Sequence, residues 1–116
     1  MSGSKKVKYL VIDTDGTITF HDETLDVPEA QRIVDGDFEI LPTPTDIPVT
    51  VIVGEEAKKQ GKNANWAITR LVRSRLRPDD FVAGVGIVVG LPDPTGEPTS
   101  ITPEIEKAVR AKVEVR

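Results

Sequence analysis

Apolar positions in this chain fall into short runs whose spacing alternates between two residues and about 3.6, the periods of strands and helices. Lys6 to Ile12 is rich in Val, Ile and Tyr and predicts a strand. Asp15-Gly16 follows, a pair that tolerates the positive φ of a two-residue type I′ turn. Thr17 to Phe20 then predicts the returning strand of a hairpin. Thr24 to Val34 predicts a short helix, because Val27, Ala30, Ile33 and Val34 keep helical spacing. Asp26 can cap it, Pro28 suits its first turn and Gly36 lies just past its end. Phe38 to Leu41 and Val49 to Val53 predict two further strands. Between them Pro42, Pro44 and Pro48 force a loop or a sheet edge.

Asn63 or Asn65 can cap a helix running to about Leu76 that Pro78 ends. Phe81 to Gly90 predicts a long Val/Gly strand, and Leu91 to Ser100 a Pro/Gly loop. Thr102 as cap and Pro103 at the first helical position open a last helix to Val113. The order is β-β-α-β-β-α-β-α. It predicts one α+β domain over residues 1–116, with a mixed sheet of about five strands, an N-terminal hairpin and helices packed on one face.

Composition narrows the chemistry. The length suits one domain with a modest core. Five aromatic residues leave that core to Val, Ile and Leu. The absence of cysteine excludes disulfides, thiolate nucleophiles and zinc sites with Cys ligands. His21, the single histidine, excludes a multi-histidine metal site and reads as part of a polar surface turn. No stretch approaches the roughly 20 apolar residues that span a bilayer. The basic start, Met1 to Lys8, lacks the apolar core of a signal peptide. The expectation is a cytoplasmic protein with no membrane partner.

The net charge of −4 hides a segregation. Residues 57–78 hold seven bases and no acid, so the other eight bases face nineteen acids. Such a split marks either an interaction surface or a basic segment lying against acidic loops of its own chain. The helix from Asn65 carries an apolar face of Ala64, Ala67, Ile68, Leu71, Val72 and Leu76. Trp66, Arg70, Arg73 and Arg77 form a second stripe at i, i+4, i+7 and i+11. That stripe can grip an acidic protein, stack and neutralise a nucleic acid, or simply be a solvated basic face.

Val11-Ile12-Asp13-Thr14-Asp15-Gly16-Thr17 resembles the strand-then-DxDGT signature of haloacid-dehalogenase-like phosphatases. The resemblance implies Asp13 as nucleophile, Asp15 as acid/base and a magnesium ion between them. Three features oppose it. The chain is short for a doubly wound domain, no lysine or later acidic motif follows in order, and the residues after Thr17 alternate as a strand. The bland reading gives Asp13 and Asp15 the shaping of a hairpin turn. Lys58-Lys59-Gln60-Gly61-Lys62 lacks phosphate-loop spacing, and Gly84-Val85-Gly86 runs into a strand rather than a helix.

A second resemblance spans nearly the whole chain. Asp13-Thr14-Asp15-Gly16-Thr17, Ile33 to Glu39, Val53 to Lys58, Asn65 to Thr69, and Phe81 to Gly84 leading to Gly96-Glu97 and Ile101-Thr102 look like DUF3846, a family of small proteins common in actinobacterial phages and mobile elements. Asp35 and Gly54 depart from it, standing where glycine and asparagine are usual. The resemblance implies a phage-like origin and a compact α+β fold, and carries no catalytic residues. The expected function is that of a non-enzymatic accessory protein, without metal or cofactor. It would bind a host macromolecule, a protein first, through Trp66, Arg70, Arg73 and Arg77. The alternatives are a magnesium-dependent phosphohydrolase using Asp13 and Asp15, and a nucleic-acid-binding module using the same stripe. Pairing of exposed strand edges would allow a homo-oligomer.

Overall fold

In the computed structural model, which describes residues 6–44 and 46–114, the first strand, β1 (Lys6–Ile12), sends apolar side chains to both faces. Val7 and Tyr9 go one way, Leu10 and Ile12 the other. Most of the basic start, residues 1–5, lies outside the described residues, as does Thr45 in the proline-rich loop. β2 (Ile18–Thr24) returns antiparallel, with Ile12 opposite Ile18 and Tyr9 opposite His21. The reversal differs from the two-residue turn that the sequence predicts. The Gly16 N–H donates to the Asp13 carbonyl at 3.0 Å and the Asp13 N–H to the Thr17 carbonyl at 2.9 Å. Gly16 has φ +90° while Asp15 keeps negative φ, so the loop runs over residues 13–17 with one left-handed position instead of two. β2 also continues through His21 to Thr24, which places His21 in a strand and not in a polar turn.

α1 (Val27–Val34) is capped as its sequence predicts, the Asp26 carboxylate accepting from the Glu29 N–H at 3.0 Å. It ends at Asp35, held at φ 64°. β3 (Phe38–Leu41), β4 (Val49–Gly54) and β5 (Gly86–Gly90) complete a five-stranded sheet in the order β2-β1-β5-β4-β3. All four pairings are antiparallel, where a mixed sheet was expected. Each of the first two strand pairs is joined directly, and β5 returns between β1 and β4 antiparallel to both.

The helices cover both faces of the sheet rather than one. Val7, Tyr9, Ile52, Ile87 and Val89 pack with Ala30 and Val34 of α1. Leu10, Ile12, Val51, Val53 and Val88 pack on the other side, with Ile68 and Leu71 of α2 (Trp66–Leu71) and Val109 of α3 (Pro103–Val113). Two-sided cover explains why Val51 to Val53 of β4 and Ile87 to Val89 of β5 read as unbroken Val/Ile runs: either direction leads into a core. Gly86 lets α2 approach β5, since a Cβ there would stand 2.8 Å from Ile68 Cδ1.

Three predicted elements are shorter than their sequence suggests. α1 starts at Val27 rather than Thr24, because Thr24 still pairs with Lys6 in β2. α2 stops at Leu71, Val72 leaves helical geometry, and a separate 3-10 turn spans Arg73–Arg75. β5 starts at Gly86 because residues 82–84 bond elsewhere. Val82 accepts from the Asn65 N–H, Gly84 donates to Asn63, and Ala83 bridges Ala64. Among the described residues no helix is long and apolar enough to cross a membrane.

Candidate functional site

The site is built outward from Asn65, which is fully buried. Its side-chain oxygen caps α2 by accepting from the Ile68 N–H at 3.0 Å. Its amide nitrogen donates to the carbonyls of Ile12 at 3.0 Å and Gly84 at 2.9 Å. Every polar atom of that side chain is thus matched, and the start of α2 is held to the end of β1. The next residue, Trp66, is 55% exposed. Its ring leans on Phe81, with centroids 5.7 Å apart and planes at 43°.

Beneath this pair runs a chain of charge. Lys58 Nζ lies 4.5 Å from the centre of the Phe81 ring and 2.5 Å from Asp80 Oδ1. The same oxygen accepts from the Phe81 N–H at 2.7 Å. The hydrogen bond from Lys58, seconded by that N–H, holds the Asp80 carboxyl below its ordinary range.

The arginines of the predicted stripe do not share one helix. Trp66 and Arg70 sit one turn apart on α2, Arg73 is in the 3-10 turn and Arg77 lies beyond it. Arg70 Nε donates at 3.0 Å to the Val113 carbonyl at the end of α3, and its Nη2 bonds the same oxygen. Arg73 gathers the carbonyls of Asp80 at 2.6 Å, Pro78 at 2.9 Å and Arg77 at 3.3 Å. Arg75 donates to Thr43 at 2.8 Å. Among the described residues no partner reaches the Arg77 side chain. The lysines of the basic segment meet acids instead: Lys58 meets Asp80, Lys59 meets Glu56 at 3.4 Å and Lys62 meets Asp35 at 2.6 Å. Charge segregation in the sequence is therefore largely resolved within the chain.

Asp13 and Asp15 have local partners. Asp13 Oδ1 accepts from the Thr14 N–H at 2.7 Å, and Asp15 Oδ1 from the Thr17 N–H at 2.9 Å. The Thr17 amide holds the exposed Asp15 carboxyl below its ordinary range. These are turn-shaping bonds. Among the described residues no group of three or more His, Asp or Glu is arranged to hold a metal ion. His21 stacks on Tyr9, centroids 5.1 Å apart and planes 11° from parallel, and its Nε2 lies 2.9 Å from Thr19 Oγ1. Both line a shallow polar groove with Asp13, Glu29 and Arg32.

Phe81 and Lys58 were not legible as site residues, because Phe81 meets Trp66, and Lys58 meets Phe81, from separate segments. The one available signal is an aromatic residue directly before the apolar run that leads into β5.

No curated protein and no solved structure matches the chain. A family described as a domain of unknown function, DUF3846, matches residues 7–114. With that span covering both hairpin strands, the Asn65 hub, the Trp66 face and all three helices, the chain belongs to the DUF3846 family.

Proposed function

We propose that this chain is a non-enzymatic binding protein that holds an acidic segment of another protein through Trp66, with the exposed surface of Arg70 one turn along α2 and Arg77 further along the same basic segment. One observation carries the proposal. The only tryptophan is 55% exposed while its neighbour Asn65 is fully buried, so the fold fixes the backbone rigidly and leaves the largest side chain in water. Trp and Arg are the residue types that dominate binding energy at protein interfaces. Phe81 supports the indole from below, so little conformational freedom is lost on contact. Nucleic acid is the weaker partner, since Arg70, Arg73 and Arg75 already donate to carbonyls and Lys58, Lys59 and Lys62 meet carboxylates. The phage-like character of the family resemblance makes a host cytoplasmic protein the natural partner.

Affinity capture from bacterial lysate tests this with four baits: wild type, Trp66→Ala, Arg77→Glu and Phe20→Ala. Phe20, 48% exposed on edge strand β2, serves as the control for an exposed aromatic. A partner kept by wild type and Phe20→Ala, lost with Trp66→Ala and weakened with Arg77→Glu is the expected outcome. An identical captured set for all four baits would refute the face.

A further inference from the structure

A second surface lies on the α1 side of the sheet. Val27, Phe38, Ile40, Ile52, Pro92 and Pro98 line a groove of about 310 Å³. This is near the lower bound of ligand pockets, about 300–1,000 Å³. Val27 is 57% and Ile40 63% exposed, so apolar surface stands open to water at its mouth.

The groove borders a free strand edge. β3 is the last strand of the sheet. Asp37 accepts through its carbonyl from the Glu55 N–H at 2.9 Å. Antiparallel alternation then directs the backbone groups of Glu39 and Leu41 to β4 and turns those of Phe38 and Ile40 outward. Among the described residues no hydrogen bond reaches these outward groups. The same two residues thus offer unpaired N–H and C=O groups at the edge and side chains to the groove.

Charge selects the occupant. The lining falls within residues 25–30, 38–52 and 89–98, which hold Asp26, Glu29, Glu39, Asp46, Asp93 and Glu97 and neither Lys nor Arg; of these, Glu29 meets Arg32 and Asp46 meets Lys112. Asp26 stands in the lining itself. We propose that the β3 edge and this groove together accept an extended peptide, whose backbone pairs with Phe38 and Ile40, whose apolar side chain enters the groove, and whose flanking residues are Lys or Arg. A second copy fits less well: the basic segment of this chain is folded into turns and a short helix, with its lysines meeting carboxylates.

Fluorescence anisotropy with a labelled peptide of alternating isoleucine and lysine tests the surface, beside a counterpart carrying glutamate for lysine. The lysine peptide binds, more weakly as salt rises, and slows amide exchange at Phe38 and Ile40. Ile40→Pro deletes an outward N–H at an edge position that tolerates proline, and weakens binding about tenfold or more. Val27→Lys, at an exposed site, does the same through charge and remains decisive if Ile40→Pro does not fold. Absence of binding, equal binding of the glutamate peptide, or indifference to both variants would overturn the proposal. So would sedimentation showing that the chain dimerises through β3, a dimer that Ile40→Pro dissolves, since the occupant is then a second copy.

Discussion

Asn65 donates through its side-chain amide to the carbonyl of Ile12 at 3.0 Å, tying the start of α2 to the last residue of β1. Four further bonds surround this contact. Gly84 O accepts from the same amide, Ile68 N–H donates to the Asn65 oxygen, and Thr69 Oγ1 donates to the Asn65 carbonyl at 2.8 Å while accepting from the Val82 N–H at 2.9 Å. Asn65→Ala breaks three buried hydrogen bonds, and each group it leaves unpaired costs about 1–3 kcal/mol. A loss of about 3 kcal/mol or more in urea unfolding is expected. Thr69→Val, of similar shape, strands only the Val82 N–H and costs about 1–2 kcal/mol. A loss below about 1 kcal/mol for Asn65→Ala would show that the hub does not hold the fold.

Arg70 reaches an orphan carbonyl at the C-terminus of α3, where a cation is also favoured by the helix dipole. Arg70→Ala is expected to cost about 1 kcal/mol and to speed amide exchange in the last turn of α3. Arg70→Lys keeps the charge without the fork and recovers only part of that protection. Unchanged exchange in α3 would show the clasp to be idle.

Asp35 is the one non-glycine described residue at positive φ, 64°. Its carboxylate pairs with Lys62 at 2.6 Å, but is 76% exposed, where such pairs contribute little. Relief of left-handed backbone strain therefore outweighs the lost pair in Asp35→Gly. A gain of about 0.5 kcal/mol, seen as a melting point raised by a few degrees, is expected. A lowered melting point would mean that the Lys62 contact, and not the backbone, sets the balance.

Acid should loosen the protein in a definite window. Hydrogen bonds from Lys58 to Asp80, from Lys62 to Asp35, from Arg32 to Glu29, from Lys112 to Asp46 and from the Thr17 amide to Asp15 each lower the carboxyl's affinity for protons when folded. The folded state binds fewer protons than the unfolded one, so this stability is present above the ordinary aspartate value of 3.8 and is lost as pH falls through the lowered values. Tyr9 acts at the other limb. Burial, helped by Glu23 and Glu29, raises its phenol above 10.0, so its contribution is lost as pH climbs through that raised value. Thermal melts from neutral to acid and to alkali should decline at both ends. A midpoint rising below about pH 4 would contradict the assignment of these partners.

The sequence alone determined the elements whose signals are local. Asp26 with Pro28 and Thr102 with Pro103 place two helix starts because a cap acts within one turn. The β-β-α-β-β-α-β-α order followed from changes in apolar period, and the family from motifs in order along nearly the whole chain. Tertiary structure decided whatever depends on distant partners. α2 stops at Leu71 where the sequence predicts helix to Leu76, and the Arg73 guanidinium just beyond it holds the carbonyls of Arg77, Pro78 and Asp80. The sheet is covered on both faces because Val and Ile runs in β4 and β5 do not say which way a helix will lie. The stripe of Trp66, Arg70, Arg73 and Arg77 came apart for the same reason: helical spacing records which residues could share a face, but only packing across the chain determines which carbonyl or ring each side chain meets.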